Sequence, residues 1–358
     1  MNAKQHVFVA MSGGVDSAVA VAKLLEQGYA VTGIHMQTWK DPKWQAAIKD
    51  LPAPEKLAET SANALGIPFI MLDIREKFYK SVVKRFLHQY LSGLTPNPCL
   101  FCNPQVKWGI LQSYALEQGA DFFATGHYAR LEQLASGKVR LLRGVDHMKD
   151  QSYVLSMLSQ FQLSQSLLPL GYMTKETVRA QAQALSLPVA DLQDSQDLCF
   201  LGNVDYRDFL HRFAPESFEE GEIIDIHGHV LGEHEGLALY TIGQRKGIRI
   251  AAAEPYFVID KDVENNRLVV GFAEQTGKKI LLAAQPSWIS GAAPEVGRVY
   301  DVMIRYRTKP EPAVLVMVTK TQFRLEFKKP LRGITPGQVA VLYQEEECLG
   351  GGIIQSFA

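Results

Sequence analysis

The sequence predicts a chain of three parts: a doubly wound parallel α/β domain, a small mixed central domain and a C-terminal β-barrel. Short apolar runs alternate with helical patterns through the first half of the 358 residues, which is typical of repeated strand–helix–strand units. Gly-rich strand patterns replace the helices after residue 200. The last third alternates Val, Ile, Leu and Tyr with polar residues between Gly and Pro turns, which favours a small barrel. We expect the parts to span residues 1–200, 201–275 and 276–358.

The α/β domain opens with an apolar strand at residues 6–10 and a helix over residues 17–28 that ends at a glycine. Further strands are predicted at residues 30–36, 68–73 and 121–125, and further helices at residues 55–65, 79–91 and 109–118. In the central part we predict a short helix at 206–213 and strands at 221–230 and 255–260, followed in the barrel by strands at 299–306 and 314–319.

Composition indicates a folded, soluble protein of the cytoplasm. Hydrophobic residues make up 47% of the chain and charged residues 21%, close to the average of globular proteins. No stretch approaches the roughly 20 apolar residues of a membrane span, and no signal-peptide pattern precedes the first strand. The four cysteines are too few for a disulfide scaffold, so we expect free thiols.

Charge is distributed unevenly along the chain. The net charge of −1 argues against a protein that coats nucleic acid by bulk electrostatics. However, residues 298–332 hold nine Lys or Arg against three Asp or Glu, a net +6, whereas residues 215–236 hold seven acidic residues and no Lys or Arg. This asymmetry predicts one face that attracts RNA and another that repels it.

A Gly-rich loop between the first strand and the first helix is a candidate phosphate site. Glycines let backbone N–H groups approach an anion, and the helix N-terminus faces it. The Lys of the common nucleotide-hydrolysing P-loop is missing, which excludes that class. The alternative interpretation is a tight strand-to-helix turn. The loop with its flanking residues reads Ala10, Met11, Ser12, Gly13, Gly14, Val15, Asp16 and Ser17.

The motif Ser-Gly-Gly-x-Asp-Ser resembles the signature of the PP-loop ATP pyrophosphatases. That resemblance implies cleavage of ATP between its α and β phosphates, with AMP left on a substrate oxygen. Asp16 would then help to place Mg²⁺ on the pyrophosphate, and the N–H groups of the loop would stabilise the developing charge.

The cysteines offer several interpretations. Cys99 and Cys102 form a Cys-x-x-Cys pair, which is compatible with half of a zinc site, a redox pair, or a nucleophile beside a second thiol. A zinc site needs two more ligands, and Cys199 and Cys348 form no second close pair, so a catalytic thiol is the better hypothesis. The local sequence of Cys199 is as compatible with a buried inert thiol as with a reactive one. Cys348 is interpreted as structural.

Taken together, the motifs resemble the tRNA-specific 2-thiouridylase family over nearly the whole chain. The loop, Thr-Pro-Asn-Pro-x-x-x-Cys-Asn at residues 95–103 and Asp-Ser-x-x-x-Cys-Phe at residues 194–200 carry the resemblance. Further matching stretches lie at residues 124–128, 142–144, 149–153, 240–247, 258–262, 335–338 and 349–352.

The resemblance implies roles for individual residues. Residues 10–17 with Met36 and Gly126 would form the ATP site, and Asn97, Pro98 and Cys99 would face the target uridine. The residues that would contact the tRNA are Lys149, Asp150, Gln151, Arg305 and Tyr306. From local sequence alone, 149–151 would pass for a polar turn and the 305–306 pair for exposed strand residues.

The resemblance also implies a mechanism. ATP would adenylate O2 of the wobble uridine in the tRNA anticodon stem-loop, and a persulfide on Cys199 would attack C2 of the activated base. Cys102 would free the sulfur and close a transient Cys102–Cys199 disulfide. A sulfur-relay protein or a cysteine desulfurase would load Cys199. We expect no resident metal besides the Mg²⁺ that accompanies ATP, and no membrane partner.

Two departures from the family pattern stand out. Position 99 is Cys where some members carry Asp, and residues 37–54 contain a Trp-Lys-Asp-Pro-Lys-Trp stretch in place of an acidic, often Cys-containing one. This stretch predicts a lineage-specific contact or a flexible loop. Two rival functions stay open: another PP-loop enzyme, such as a nitrogen-adding ligase or a different tRNA modifier, and a zinc-stabilised RNA-binding protein without catalysis.

Overall fold

A computed structural model describes residues 4–43, 52–193, 198–202 and 204–358 of the protein. It contains three sheets: a five-stranded parallel sheet, a four-stranded mixed sheet and a larger antiparallel sheet whose strands close into a barrel. The predicted class, a doubly wound α/β domain followed by a small mixed domain and a β-barrel, is confirmed.

The parallel sheet has the strand order β3-β2-β1-β4-β7, and its strands pair in parallel throughout. The chain moves from β1 outward to β3 on one side and then to β4 on the other. The order therefore reverses between β1 and β4, which is where open α/β sheets bind their ligands. The N-terminal strands are His6–Ala10 (β1), Ala30–Gln37 (β2), Phe69–Asp73 (β3), Phe122–Thr125 (β4), Ala129–Gln133 (β5), Val139–Arg143 (β6) and Ser166–Leu167 (β7).

Helices connect these strands and cover the sheet. Val15–Glu26 (α1) is buried along most of its length because Val and Ala fill its sequence. Pro54–Ala64 (α2) starts at a proline, which needs no N–H partner at that position. The helical run α3 combines Arg75–Phe78, a π-helical turn at Tyr79–Val83 and Lys84–Leu91. The run α4 combines Cys99–Cys102, a π-helical stretch at Asn103–Gln112 and Ser113–Glu117, and it is followed by Ser152–Leu155 (α5), Gln160–Ser164 (α6) and Lys175–Ala184 (α7).

The central domain holds Tyr206–Phe213 (α8), as predicted, and the mixed sheet β10-β11-β8-β9. The single strand predicted at residues 221–230 is wrong, because the chain turns there and makes two paired strands. A hydrogen-bonded turn in which His229 N–H and His227 N–H both donate to Asp225 causes the reversal. The strands are Gly221–Ile224 (β8), Val230–His234 (β9), Phe257–Asp262 (β10) and Arg267–Gly271 (β11).

The C-terminal barrel closes because its first and last strands pair with each other. Strand order is β12-β15-β14-β13-β16-β17, and β17 pairs again with β12. Along β15, Phe323, Leu325 and Phe327 point into the core while the residues between them are exposed. The strands are Gly277–Trp288 (β12), Val299–Met303 (β13), Glu311–Val318 (β14), Gln322–Arg332 (β15), Val339–Gln344 (β16) and Glu347–Phe357 (β17).

The barrel is joined to the N-terminal domain by more than packing. The β5–β6 hairpin, which belongs to the N-terminal part of the sequence, adds to the edge of β17, with Leu142 opposite Glu347 and Leu141 opposite Cys348. One apolar core also spans the three parts, because it includes Phe8 of β1, Phe209 of α8 and Tyr343 of β16. Within the described part of the chain, none of the helices combines the length and the apolar character needed to cross a membrane.

Candidate functional site

The phosphate loop lies at the carboxyl end of β1, directly before α1. Gly13 has φ +83°, and a Cβ there would lie 2.3 Å from the carbonyl oxygen of Pro54. Both the backbone conformation and the lack of space therefore exclude a side chain at this position. The Ser17 hydroxyl donates to Gly14 O (3.0 Å) and accepts from Ser12 N–H (3.2 Å), which closes the loop on itself. These two hydrogen bonds fix the shape of the loop.

Gly126, which follows β4, packs directly against the phosphate loop. A Cβ at this position would lie 2.9 to 3.0 Å from backbone atoms of Asp16 and Ser17. Since β1 and β4 are neighbours at the point where the strand order reverses, their carboxyl ends meet at this contact. The structure thus brings together the predicted residues 10–17 and Gly126.

Asp16 has two partners that the sequence did not indicate. The Tyr128 hydroxyl donates to Asp16 Oδ1 at 2.6 Å, and Lys175 Nζ donates to the same oxygen at 2.7 Å. The Lys175 side chain is only 10% exposed, against 35% for Asp16. These residues lie 112 and 159 positions from Asp16 along the chain. The carboxylate is consequently fixed in direction and neutralised by Lys175.

Met36 lies in β2 near its carboxyl end, half-buried, next to a buried histidine. His35 Nδ1 donates to the carbonyl oxygen of Met11 (2.8 Å), the residue that precedes Ser12. Burial lowers the pKa of His35, so its ring is neutral near pH 7. Met36 thus follows a residue that is hydrogen-bonded to the start of the phosphate loop. The contact of Met36 with adenine stays a prediction.

Three of the four thiols interact electrostatically in one region. Cys102 is buried in the first turn of α4, whereas Cys99 and Cys199 open to solvent on one side. The charges of Cys99 and Cys199 each help to raise the pKa of Cys102, and the charge of Cys99 helps to raise the pKa of Cys199. Asp194 and Ser195, which begin the motif that ends in Cys199 and Phe200, lie outside the described residues.

Protein atoms around the thiols disfavour their ionised forms. Limited hydration raises the pKa of Cys99 and Cys102 and raises that of Cys199 to about 11, with Cys99 contributing to the last shift. The positive charge of Lys107, on α4, opposes the shift at each of the three thiols. We define the thiol cluster as Cys99, Cys102 and Cys199. Lys107 is the cation that acts on all three thiols, and Lys40 adds a smaller effect at Cys199.

His127 holds Lys107 and connects the cluster to the loop. Lys107 Nζ lies 3.3 Å from His127 Nε2, and His127 Nδ1 lies 2.7 Å from Thr125 Oγ1. Burial lowers the pKa of His127 well below its usual range, so the ring is neutral, and the ammonium, which can only donate, makes Nε2 the acceptor. Because His127 directly follows Gly126, two adjacent residues contact the phosphate loop and the thiol cation. The sequence signal for them was the Ala-Thr-Gly-His-Tyr stretch at residues 124–128, which predicted Gly126 at the ATP site but did not indicate that His127 holds Lys107.

The barrel anchors the approach to Cys99. Thr95 N–H donates to Pro336 O (3.1 Å), and Gln338 Nε2 donates to Thr95 O (2.7 Å). Tyr306 also faces this region, because Cys99 contributes to the raised pKa of its hydroxyl, behind the larger effect of burial. Residues Asn97, Pro98 and Cys99, predicted to face the uridine, thus lie between the N-terminal domain and the barrel.

The predicted tRNA contacts at residues 149–151 are largely used inside the protein. Asp150 accepts from Gly144 N–H (3.0 Å) and from the Ser152 hydroxyl (2.8 Å). The Gln151 side chain accepts from Tyr128 N–H at 3.0 Å, which supports the residue that holds Asp16. Lys149 also has a partner within the protein. Their contact with tRNA stays a prediction.

Arg305 likewise joins two parts of the chain. Its Nη2 donates to Ile242 O of the central domain (2.6 Å) and to the Thr335 hydroxyl of the barrel. Burial lowers the pKa of this guanidinium. Tyr306, half-buried beside it, packs at 6.1 Å between ring centres on Tyr153. The predicted pair therefore lies at the domain junction, where Arg305 links the domains and Tyr306 faces the thiol cluster.

The divergent stretch after β2 forms a defined contact in its described part, residues 37–43. The Trp39 ring packs against Tyr79 and Phe213 at 5.3 and 5.6 Å between centres. Asp41, with a fully buried side chain, pairs through both oxygens with the Arg212 guanidinium of α8 at 3.0 and 2.5 Å. These contacts lie within the protein, the choice between a lineage-specific contact and a flexible loop stays a prediction, and residues 44–51 lie outside the described ones.

The described ranges hold no group of three or more His, Cys, Asp or Glu side chains arranged to bind a metal ion. Cys348 is buried, and its thiol donates to Ser152 O at 3.9 Å, as suits the structural role predicted for it.

Comparisons with known proteins cover the whole chain. Residues 5–203 match the family model described as tRNA methyl transferase HUP domain, residues 207–272 the tRNA methyl transferase PRC-barrel domain, and residues 278–354 the aminomethyltransferase beta-barrel domain. The chain is 44% identical over 359 residues to a tRNA-specific 2-thiouridylase MnmA of Carboxydothermus hydrogenoformans, with 98% of each chain covered. It is 42% identical over 355 residues to the protein of the same name from Acidithiobacillus ferrooxidans, with 99% of each chain covered.

Proposed function

Since the chain belongs to the tRNA-specific 2-thiouridylase family, we propose that it uses ATP to replace O2 of the wobble uridine of tRNA with sulfur. As a member of this family it is an enzyme, a tRNA sulfurtransferase. The proposal extends to the wobble position, the adenylated base and the cysteine persulfide.

One observation carries the proposal: Gly126 and His127 join a phosphate-binding loop to a cluster of thiols. Gly126 contacts the loop backbone, and His127 holds the Lys107 ammonium whose charge acts on all three thiols. An adenylating site that hands its product to water or ammonia needs no thiols beside it. The juxtaposition is what sulfur transfer to an activated base requires.

The residues suit the first half-reaction as follows. Uridine O2 attacks the α-phosphorus of ATP, the α–β bridging bond breaks, and pyrophosphate leaves. The N–H groups of residues 12–17 and the N-terminus of α1 stabilise the charge on the departing pyrophosphate. The uridine has to leave the anticodon stack to reach the loop, and we place it beside residues 97–99, on the side of Tyr306.

The second half-reaction uses the thiol cluster. The terminal sulfur of a Cys199 persulfide bonds to uridine C2, and AMP departs with the former O2. Cys102 then attacks the Cys199 sulfur, which breaks the S–S bond, leaves sulfur on the base and forms a Cys102–Cys199 disulfide. A thiol reductant resets the enzyme, and a sulfur-relay protein or cysteine desulfurase reloads Cys199. Lys107 favours thiolate at both cysteines, against the limited hydration that disfavours it.

The donor set fits Mg²⁺ brought in by the nucleotide. Mg²⁺ prefers hard oxygen ligands and is usually held by one or two carboxylates together with substrate phosphates. Asp16 supplies such a carboxylate at the phosphate loop, half-exposed, and the hydroxyls of Ser12 and Ser17 lie on the same loop. Bound there, the ion would neutralise charge on the pyrophosphate.

The test separates adenylation from sulfur transfer. With ATP, Mg²⁺, a cysteine desulfurase and cysteine as the persulfide donor, a thiol reductant and unmodified tRNA, we expect the wild type to release pyrophosphate and to form 2-thiouridine, measured by nucleoside mass spectrometry. Cys199→Ser and Cys102→Ser should reduce 2-thiouridine by about a thousandfold or more because each removes a reacting thiol. Cys199→Ser should still release pyrophosphate.

Cys348→Ala is the matched control, because it removes a buried thiol outside the cluster and should retain thiolation. Thiolation by both cluster variants at the wild-type rate would refute the mechanism and favour another PP-loop enzyme. Stoichiometric zinc in the purified protein without tRNA-stimulated pyrophosphate release would favour an RNA-binding protein instead.

A further inference from the structure

The phosphate loop contains no cation of its own. Between Ala10 and Ser17 there is no Lys, Arg or His, although the loop is to bind a polyanion. Backbone N–H groups supply partial charges only, and phosphate sites commonly add a full positive charge. A cation from elsewhere in the fold would complete the site.

Lys175 is the cation that the fold places there. It is the first residue of α7, whose preceding Thr174 accepts from Thr177 N–H and so fixes where the helix begins. Lys175 N–H donates to Asp146 Oδ2 at 2.9 Å, and Nζ lies 2.7 Å from Asp16 Oδ1. The backbone of Lys175 is thus held from two sides while its ammonium reaches the loop.

The helix that carries Lys175 runs alongside α1 in the same direction. Lys175 meets Asp16 at the start of both helices, and Gln181 Nε2 donates to Glu26 Oε1 (2.8 Å) towards the end of α1. Val178 and Ala182 fill the interface between them, fully buried. Both helix N-termini therefore point to the same edge of the sheet, and packing keeps the ammonium within reach of the loop.

We propose that Lys175 binds the pyrophosphate moiety of ATP, its ammonium moving from Asp16 Oδ1 to a phosphate oxygen when the nucleotide enters. The inference rests on the proposed use of ATP. Asp16 neutralises the Lys175 ammonium, and Tyr128 OH donates to the same oxygen, so the carboxylate keeps a hydrogen bond when the ammonium leaves. No covalent bond changes in this exchange.

The experiment is calorimetric titration of Lys175→Met with a non-hydrolysable ATP analogue, with pyrophosphate and with AMP. A hydrogen bond to a charged group typically contributes about 1.5–3 kcal/mol, so we expect Kd for the analogue and for pyrophosphate to rise about 10- to 100-fold. The Kd for AMP should change by less than about twofold. Lys175→Arg, which keeps the charge, should recover part of the loss. Lys23→Met removes a partly exposed lysine of α1 that pairs with Glu26, and this variant should bind like the wild type.

A second comparison distinguishes direct binding from an effect through Asp16. In an Asp16→Asn background, titrated without Mg²⁺, Lys175→Met should still weaken pyrophosphate binding about tenfold or more if the ammonium contacts phosphate. If it only positions Asp16, the second substitution has no further effect and the inference is overturned. Wild-type affinity for pyrophosphate in Lys175→Met also overturns it while leaving the proposed function intact. A wild-type protein that binds no ATP overturns both.

Discussion

Replacing Gly126 by Ala tests whether the backbone contact between β4 and the phosphate loop sets the loop's position. The added Cβ would lie 2.9 Å from the carbonyl carbon of Asp16 and 3.0 Å from the nitrogen of Ser17. Carbon atoms rest at about 3.5 Å or more, so the gap has to open by roughly 0.5 Å. Both neighbours are backbone atoms of the first turn of α1, which cannot rotate away.

A shift of this size is large for the ligand. A loop N–H that donates at about 2.9 Å to phosphate would lie at about 3.4 Å, beyond the usual limit of about 3.2 Å. Losing one such charge-assisted bond, roughly 1.5–3 kcal/mol, should raise Kd for an ATP analogue about 10- to 100-fold. The strain itself should lower the free energy of unfolding by about 1–3 kcal/mol.

Calorimetric titration measures the first effect and thermal unfolding by circular dichroism the second. Gly232→Ala is the control, because its Cβ meets only Ile250 Cδ1 (2.6 Å), the end of a flexible side chain in the central domain. It should leave ATP affinity unchanged. A folded Gly126→Ala protein that binds the analogue as tightly as the wild type would show that the contact does not position the loop.

Three further outcomes are expected. Alkylation of Cys199 by iodoacetamide, followed by peptide mass spectrometry, should accelerate about tenfold per pH unit from pH 8 to 10, because a pKa of about 11 keeps the thiol mostly protonated throughout that range. Lys107→Met should slow the reaction, and a rate independent of pH would contradict a pKa of about 11. Asp41→Asn should lower the free energy of unfolding in urea by about 2–3 kcal/mol, since it leaves the partly buried Arg212 without its carboxylate. An unchanged urea concentration at the midpoint of unfolding would refute the importance of this pair. Arg305→Met should lower the midpoint temperature of unfolding without changing the salt dependence of tRNA binding, because the Arg305 guanidinium is already bonded inside the protein. If the slope of log K against log salt concentration falls by about one, Arg305 contacts a phosphate instead.

The alternation of strands and helices predicted the parallel sheet because each of those units is local. Apolar runs such as residues 6–10 and 30–36 and the helix over 206–213 were found close to where the pattern placed them. By contrast, the β5–β6 hairpin was not predicted to join the barrel. Its partner strand β17 lies about 200 residues further along the chain, and no local pattern encodes such a pairing.

The start of α4 was also missed. Pro96 and Pro98 favour an extended loop before Cys102 when the sequence is taken alone, yet Pro98 supplies the turn just before a helix that begins at Cys99. A proline fixes φ near −65°, which suits a helix start as well as an extended segment, so composition alone could not decide. Cys102 consequently lies on a helix and is held more rigidly than a loop would hold it.

In the candidate site, the sequence pointed to Asp16 but not to its partners. The motif around Asp16 is contiguous, whereas Tyr128 and Lys175 reach it only through the packing of β4 and α7. A signal for the second existed: Thr174 before an apolar-periodic stretch marks a helix N-terminus, where Lys175 would sit at the same edge as the loop. The pairing itself required the fold.

The addition of the β5–β6 hairpin to β17 bears on how the protein is made. Synthesis delivers the N-terminal domain first, so this hairpin waits with an open edge until the last strand of the barrel leaves the ribosome. Open edges invite pairing with other chains, and charges along them oppose it. Arg130 and Arg140 on the hairpin, which pair with Glu346 and Glu347 in the finished protein, carry such charges in the interval. The two arginines therefore oppose pairing with other chains in the interval, and their glutamate partners later favour the chain's own last strand.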